Sequence, residues 1–377
     1  MVAPFELRDD LGPSKTIHIH EPTADLQAIV VVDNVATGPA IGGLRLAPDV
    51  DLREYARLAR AMTLKNASAE LPHGGAKSVI VADPHADRPR KEELMRAFGA
   101  AIRHLEEYIV GPDMGSDEQC MAWIHDEIGR AAGLPREIGG IPLDEIGVTG
   151  FGVAHAAEIA AEFADLELDG ATVAVQGFGA VGSHAARFLA ERGARLVAAA
   201  DSRGTIHNPD GLDVDELVAL KQKGASVTDY DAGEASETDA VVGVDCDIWI
   251  PAARPDVLDA ENIDRLQARL VIQGANIPAT DAAEEAMHER GIVNVPDFIA
   301  NAGGVICAAM EYHRATESQV FETVETTIRR NTRRILEAAD ERDIRPRRAA
   351  EEIAEKRVRR AMDNRRWSLQ PQAFGPG

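Results

Sequence analysis

A chain of 377 residues with 45% hydrophobic content is long enough for two or three domains with real cores. It carries 63 acidic against 40 basic residues, a formal charge of −23. That balance excludes nucleic acid as the main partner and an anionic membrane surface, since both call for a basic footprint.

The three cysteines, Cys120, Cys246 and Cys307, are far apart and form no C-x-x-C, so neither a disulfide framework nor a metal site is expected. No basic-plus-apolar leader and no run of 18 apolar residues appears, and the expectation is a soluble cytoplasmic protein. High acidity with few lysines suits a halophilic surface solvated in concentrated salt, or an ordinary acidic protein.

Residues 17–20 and 27–32 read as short strands, the second (QAIVVV) continuously apolar and therefore central. His18 and His20 share one strand face and have no third ligand nearby, so they read as structural. The run T-G-P-A-I-G-G-L-R-L, residues 37–46, reads as a loop. In it Gly42 and Gly43 permit close backbone approach, and Arg45 is either structural or anion-binding. Residues 51–66 have helical spacing through Leu52, Tyr55, Ala56, Ala59, Met62 and Thr63, which puts Lys65 at or just past a helix C-terminus. Residues 71–76 break that helix, and Lys77 leads into a strand over 78–82.

Lys65 and Lys77 lie twelve positions apart in MTLKNASAELPHGGAKSVI, an apolar, glycine-rich run with one acid, Glu70. The chain holds only seven lysines; arginine supplies the other 33 basic residues. A desolvated ammonium can lose its proton where a guanidinium cannot, so a lysine in a water-poor cleft can act as an acid–base group with its pKa brought from about 10.4 toward about 7–8. The plainer alternative is that both lysines snorkel from a half-buried helix and loop.

Residues 90–108 read as a second amphipathic helix, followed by a short strand at 108–110. The turn V-G-P-D-M-G-S, residues 110–116, then places Asp113 between Pro112 and Gly115. An Asp there is ordinarily a turn former, but loops at strand ends often carry function.

The composition changes near 140–150, where Thr149 and Gly150 open a helix running to about Phe163. Residues 171–202 then read as a strand, a glycine turn, a helix, a second strand and an acid. Gly177, Gly179 and Gly182 make G-x-G-x-x-G, and Asp201 lies 19 residues beyond Gly182. A lone G-x-G-x-x-G is weak; with every contextual element present it points to dinucleotide binding. The glycines let backbone amides, including those of Ala180 and Val181, approach a pyrophosphate at a helix N-terminus. Asp201 would accept from the adenosine ribose and favour NAD, while Ser202 and Arg203 are able to hold the 2′-phosphate of NADP.

Further strands read at 247–250, 270–272 and 292–295, each ending in a polar or glycine-containing loop. Asn276 and Asn301 on these loops either hydrogen-bond the nicotinamide or ribose, or cap the following helices. Residues 303–365 are helical and strongly charged; the cluster Arg329, Arg330, Arg333 and Arg334 reads as a solvated or intersubunit face. The tail after Trp367 is expected to be poorly ordered. A dinucleotide domain implies hydride transfer. Two lysines and an aspartate suit an amino or keto acid as the other reactant, one ammonium pairing with its α-carboxylate.

Residues 25–335 resemble the glutamate/leucine/phenylalanine/valine dehydrogenase superfamily. The resemblance is carried by GPAIGGLR (38–45), the 62–80 run, GPDMGS (111–116), VTGFGV (148–153), VQGFGAVG (175–182), ADSRGTIHNPDGLD (200–213), DCDIWIPAA (245–253), GANIPAT (274–280) and VPDFIANAGGV (295–305). It implies an α/β fold: a substrate domain over 1–147, a Rossmann-like doubly wound dinucleotide domain over 148–305, and C-terminal helices over 306–377 returning to the first domain. The active site would be the cleft between the two domains. It further implies that Lys65 binds the α-carboxylate, that Lys77 is the catalytic lysine, and that Asp113 assists proton transfer. Thr149 joins the expected nucleotide contacts, and the implied assembly is a homo-oligomer, a hexamer or octamer.

Glutamate-specific members usually carry a lysine where this chain has Ile41, just before Gly42, and a serine where it has Ala308. Both changes remove partners for a distal carboxylate, so the resemblance implies an apolar, leucine- or phenylalanine-like amino acid. The 200–213 stretch is closer to glutamate dehydrogenases, which leaves glutamate as the alternative. A non-catalytic regulatory subunit of the same fold is the reading from another class.

Overall fold

In the computed structural model, which describes residues 5–364, the chain separates into two compact units. Among the described residues the first comprises 5–142, 305–317 and 353–364; the second comprises 143–304 and 318–352. The tail after Trp367 lies outside the described residues.

The first unit runs β1 (Lys15–Glu21), β2 (Leu26–Asn34), β3 (Ala40–Ala47), α1 (Leu52–Ser68), β4 (Gly74–Val81), α2 (Arg88–Ala101), β5 (Tyr108–Pro112) and α3 (Glu118–Ile128). Its five strands are ordered β1-β2-β4-β3-β5. β2 runs antiparallel to β1 and β4, while β3 runs parallel to β4 and β5. Strand alternation splits the hydrophobic residues between two covering layers. Val31 and Val79 pack under Tyr55 and Ala59 of α1. Val30, Val32, Ala76 and Ile80 pack with Leu94 and Phe98 of α2 and Met121 and Ile124 of α3. Both faces of β2 are thus covered along residues 28–32, which is why that run, AIVVV, is apolar without interruption. His18 and His20 are exposed on β1.

Three local expectations change. The 37–46 stretch is not a loop: β3 begins at Ala40 and carries Ile41, Gly42 and Gly43 in an interior strand. Glycine weakens a strand and imitates a loop signal unless a neighbour must come close. Here the Ala76 carbonyl of β4 occupies the space a Gly42 side chain would need. β4 begins at Gly74, so Lys77 is in mid-strand rather than ahead of one. The second helix stops at Ala101 instead of Tyr108. Two successive turns, Leu105 N–H to Ile102 O at 2.9 Å and Tyr108 N–H to Leu105 O at 3.1 Å, bury residues at three-residue spacing and so prolong the helical pattern without a helix.

The second unit runs α4 (Val148–Phe163), β6 (Thr172–Gln176), α5 (Ala180–Ala190), β7 (Arg195–Asp201), β8 (Gly204–His207), α6 (Val214–Gln222), β9 (Glu234–Ser236), β10 (Ile248–Pro251), β11 (Leu270–Ile272), α7 (Asp281–Glu289), β12 (Val293–Val295) and α8 (Asp297–Ala300). Its sheet is ordered β12-β11-β10-β6-β7-β8-β9. The first five strands of that order are parallel; β8 and β9 extend it antiparallel. The chain goes from β6 to β7 on one side, and the later β10 lies on the other. This makes the end of β6 the switch point at which doubly wound sheets bind ligands.

Three helices close the chain: α9 (Gly303–Tyr312), α10 (Glu317–Arg342) and α11 (Pro346–Asn364). Residues 306–377 were expected to join the first unit as a block, but 318–352 cluster with the second. The reason is packing along α10. Gly152 of α4 leaves room for Val324 and Ile328, and Arg329 and Arg333 reach Glu158 and Glu162 of α4 at 2.6 and 2.7 Å. Those two arginines therefore pair within the unit. Among the described residues no helix is long and apolar enough to cross a membrane.

Candidate active site

Within the first unit, the face of the sheet covered by α1 carries Ile41 and Lys77, with Asp113 against it. Lys77 is 8% exposed, and its ammonium pairs with the Asp113 carboxylate. Asp113 follows β5 directly. Its N–H donates to Ser116 Oγ at 2.9 Å, and that hydroxyl donates to the Leu44 carbonyl at 2.7 Å, tying the turn to β3. Gly115 closes the turn at φ +81°, in the left-handed region. Gly43 makes room for the pair, since a Cβ there would stand 2.8 Å from the Asp113 Cβ. Arg45, two residues on and so on the same strand face, brings its Nε to 3.6 Å from Asp113 Oδ2. Burial alone would raise the Asp113 carboxyl; the Lys77 ammonium, the Met114 amide and the Arg45 guanidinium outweigh it and hold the group below its ordinary value.

Helix α1 meets β4 at Gly75, where a side chain would come within 2.6 Å of the Thr63 Cα. Asn66 Nδ2 donates to the Gly74 carbonyl at 2.6 Å. The last turn of α1, which includes the half-buried Lys65, is thereby held at the start of β4. Ile41 pairs in register with Gly75 across β3 and β4 and is 3% exposed. Ile41 and Lys77 thus share the face against which Asp113 lies, while Gly42 faces the opposite layer, its carbonyl accepting from the Tyr108 hydroxyl at 3.1 Å. Ala308 is half-buried on α9.

Two anchors of α9 had no sequence signal. Glu311 accepts the amides of Gly133, Leu134 and Ile141 at 2.7, 3.0 and 2.8 Å. His313 Nε2 lies 3.0 Å from His73 Nε2, and His73 Nδ1 is 2.9 Å from the Pro39 carbonyl. Burial, aided by the neighbouring His313 and opposed by the Pro39 carbonyl, pushes the His73 imidazole down to about 4 from an ordinary 6.5. As pH falls the unfolded chain takes up this proton first, so the stability due to neutral His73 is full above about pH 6.5 and is lost down to about pH 4. Between pH 7.5 and 5, wild type should lose about 2 kcal/mol that a His73→Leu variant keeps. Chemical unfolding of both proteins at the two pH values checks this; equal losses would refute it.

In the second unit the three fingerprint glycines have separate tasks. Gly177 turns at φ +96° against Ala253, Gly179 has open space where a Cβ would stand, and Gly182 packs α5 onto Val175 of β6. No side chain caps α5, so the amides of Ala180, Val181 and Gly182 remain available to an anion. Buried acceptors without partners, Gln176 Oε1 and Asn301 Oδ1, occur at the last residue of β6 and just after α8. The other end of the Asn301 amide holds the 274–276 loop through Gly274 O, Ala275 O and Asn276 Oδ1, each at 3.2 Å. Helix α7 is capped by Thr280, which leaves Asn276 outside that task. Thr149 lies in the first turn of α4, where Gly303 and Gly304 approach it closely. This set of amides and orphan acceptors fits a nicotinamide dinucleotide.

Asp201 stands at the end of β7 as expected, but its carboxylate is engaged. Oδ1 accepts from Arg203 N–H and Ser226 Oγ, both at 2.9 Å; Oδ2 accepts from Lys221 Nζ at 2.6 Å and Val227 N–H at 3.0 Å. Despite desolvation, these donors hold it at about 2. Ser202 and Arg203 beside it are exposed.

Comparison with known proteins agrees with both units. The family described as Glu/Leu/Phe/Val dehydrogenase, dimerisation domain, matches residues 13–130, and Glutamate/Leucine/Phenylalanine/Valine dehydrogenase matches residues 139–366. A glutamate dehydrogenase of Aeropyrum pernix is 38% identical, over 89% of this chain and 85% of that protein. An NADP(+)-dependent glutamate dehydrogenase of Pyrobaculum calidifontis is 39% identical, over 82% of this chain and 76% of that protein. Among solved structures, the hetero-hexameric glutamate dehydrogenase from Thermus thermophilus in its Leu-bound form is 31% identical with a TM-score of 0.82, covering 95% of this chain and 91% of that one.

Proposed function

Since the chain belongs to the glutamate/leucine/phenylalanine/valine dehydrogenase family, and is an amino-acid dehydrogenase using NAD or NADP, we propose that it oxidatively deaminates an L-amino acid with an apolar side chain. The overall change is L-amino acid, water and NAD(P)+ to 2-oxo acid, ammonium, NAD(P)H and a proton. The bound nicotinamide would accept the hydride from the α-carbon. Lys65 would pair with the substrate α-carboxylate and fix the α-carbon. Asp113 would take a proton from the substrate ammonium. Lys77, able to cycle between charged and neutral forms, would activate the water that attacks the imine.

The observation that carries the apolar preference is Ile41, buried in β3 beside Gly75 on the Lys77 face of the sheet. A substrate carboxylate left there without a partner would cost several kcal/mol. The identity to proteins named glutamate dehydrogenase favours glutamate as the second reading. A panel of leucine, valine, phenylalanine and glutamate assayed at 340 nm, in low and in high salt, separates them. At least a tenfold higher kcat/KM for an apolar amino acid is expected, the loss of one partnered charge being worth about 1.4 kcal/mol or more. Preference for glutamate would overturn the apolar reading. No turnover at all would leave the regulatory-subunit reading.

With Asp201 committed to four donors, its ribose contact would require Lys221 or Ser226 to give way, and NADP becomes as acceptable as NAD on this reading. A homo-oligomer formed through the first unit, and a cytoplasmic setting, complete the proposal. Sedimentation of the purified protein tests the former.

A further inference from the structure

We propose that Arg45 is a positioning residue for the proton-transfer carboxylate, seating Asp113 and keeping it ionised independently of the state of Lys77. The inference rests on the reading of Asp113 given above and extends it to a residue whose sequence context left open whether it was structural or anion-binding.

Three features of the seat support it. The Arg45 Nε is buried, has no hydrogen-bond acceptor, and lies 3.6 Å from the same Asp113 oxygen that pairs with Lys77. The other end of the guanidinium is held by Glu54, Nη1 to Oε1 at 3.0 Å. Its carbon lies 5.9 Å from the Tyr55 ring centroid, so α1 supplies both a tether and a platform. Helix and strand together therefore hold the unpaired N–H beside the carboxylate.

The chemistry explains why one cation is insufficient. In the proposed role Lys77 would give up its proton to activate water, and its charge would then no longer stabilise the half-buried Asp113 anion. Arginine stays charged throughout. Asp113 would then keep its ionised form through the part of the cycle in which it must accept a proton. The charged and titratable groups that share its electrostatic surroundings are Lys77 from β4, Arg45 from β3, Glu54 and Tyr55 from α1, and, from the other layer of the sheet, Tyr108 of β5. Among these, only the two cations lower its pKa.

The test is the pH dependence of kcat/KM, together with 13C NMR titration of the Asp113 carboxyl, assigned by Asp113→Asn, in the full-length protein. Removing a cation raises the carboxyl pKa. Arg45→Met should therefore move both the acidic limb and the carboxyl titration upward by about one pH unit, while Arg45→Lys keeps both near wild type. An Arg45→Met protein with unmoved limb and unmoved titration, whatever its thermal stability, overturns the proposal. Should Arg45→Met fail to fold, Glu54→Gln decides: loss of the competing anion should lower the titration by roughly a few tenths of a unit, and no movement refutes the seat. If wild type oxidises no amino acid, the functional reading fails separately, and the NMR titration still decides the role of Arg45.

Discussion

Lys77→Ala will lower kcat for amino-acid oxidation by roughly 10³-fold or more while leaving NADH binding unchanged. The variant loses more than an acid–base group. Asp113 is half-buried, and its largest stabilising influence is the Lys77 charge, so without it the carboxyl pKa rises. Lys77→Arg separates the two effects: it restores the cation beside Asp113 but cannot supply a neutral base, so it should remain inactive with the Asp113 titration near wild type. NADH fluorescence and steady-state rates measure both. Lys77→Ala activity above a tenth of wild type would remove Lys77 from the mechanism.

Arg347→Met will destabilise the second unit by about 3–5 kcal/mol. The Arg347 Nε lies 2.8 Å from each Glu284 oxygen, and Nη2 lies 3.0 Å from Gln273 Oε1 and 2.8 Å from Asp297 Oδ1. The side chains of Glu284 and Asp297 are only 2% and 7% exposed, so removing the guanidinium strands two buried carboxylates. Asp297 also accepts the Ile277 amide at 2.9 Å, which links the cluster to the loop bearing Asn276. Chemical unfolding should show the loss, and a triple variant that also carries Glu284→Gln and Asp297→Asn should recover part of it. A loss below about 1 kcal/mol would mean that the cluster relaxes or hydrates, against the burial seen here.

The parts of the protein legible from the chain alone were those encoded over short stretches. The glycine turn at 177–182, its flanking strands and the acid at 201 form one contiguous unit, because backbone approach and helix-terminal amides depend on neighbours within a few residues. The candidates Lys65, Lys77 and Asp113 stand out for a similar reason, each belonging to a compact local pattern. The sequence did not reveal that 40–47 is an interior strand, since the need for glycine at 42 and 43 arises from Ala76 and Asp113, which are distant in the chain.

Asp201 and Arg45 show the same division from the side of chemistry. The position of Asp201 was predictable from spacing, but the four donors that occupy its carboxylate include groups 20, 25 and 26 residues away. Arg45 acquires its meaning only when β3 and β5 lie side by side and α1 folds over them. His73 and His313, 240 residues apart, are joined solely by the packing of α9. Periodicity and turn chemistry are local properties, and the sequence alone determined most of the elements and singled out the groups proposed to react. Which charges are buried, and which cation faces which carboxylate, depend on contacts between distant segments, and only the tertiary structure decided them.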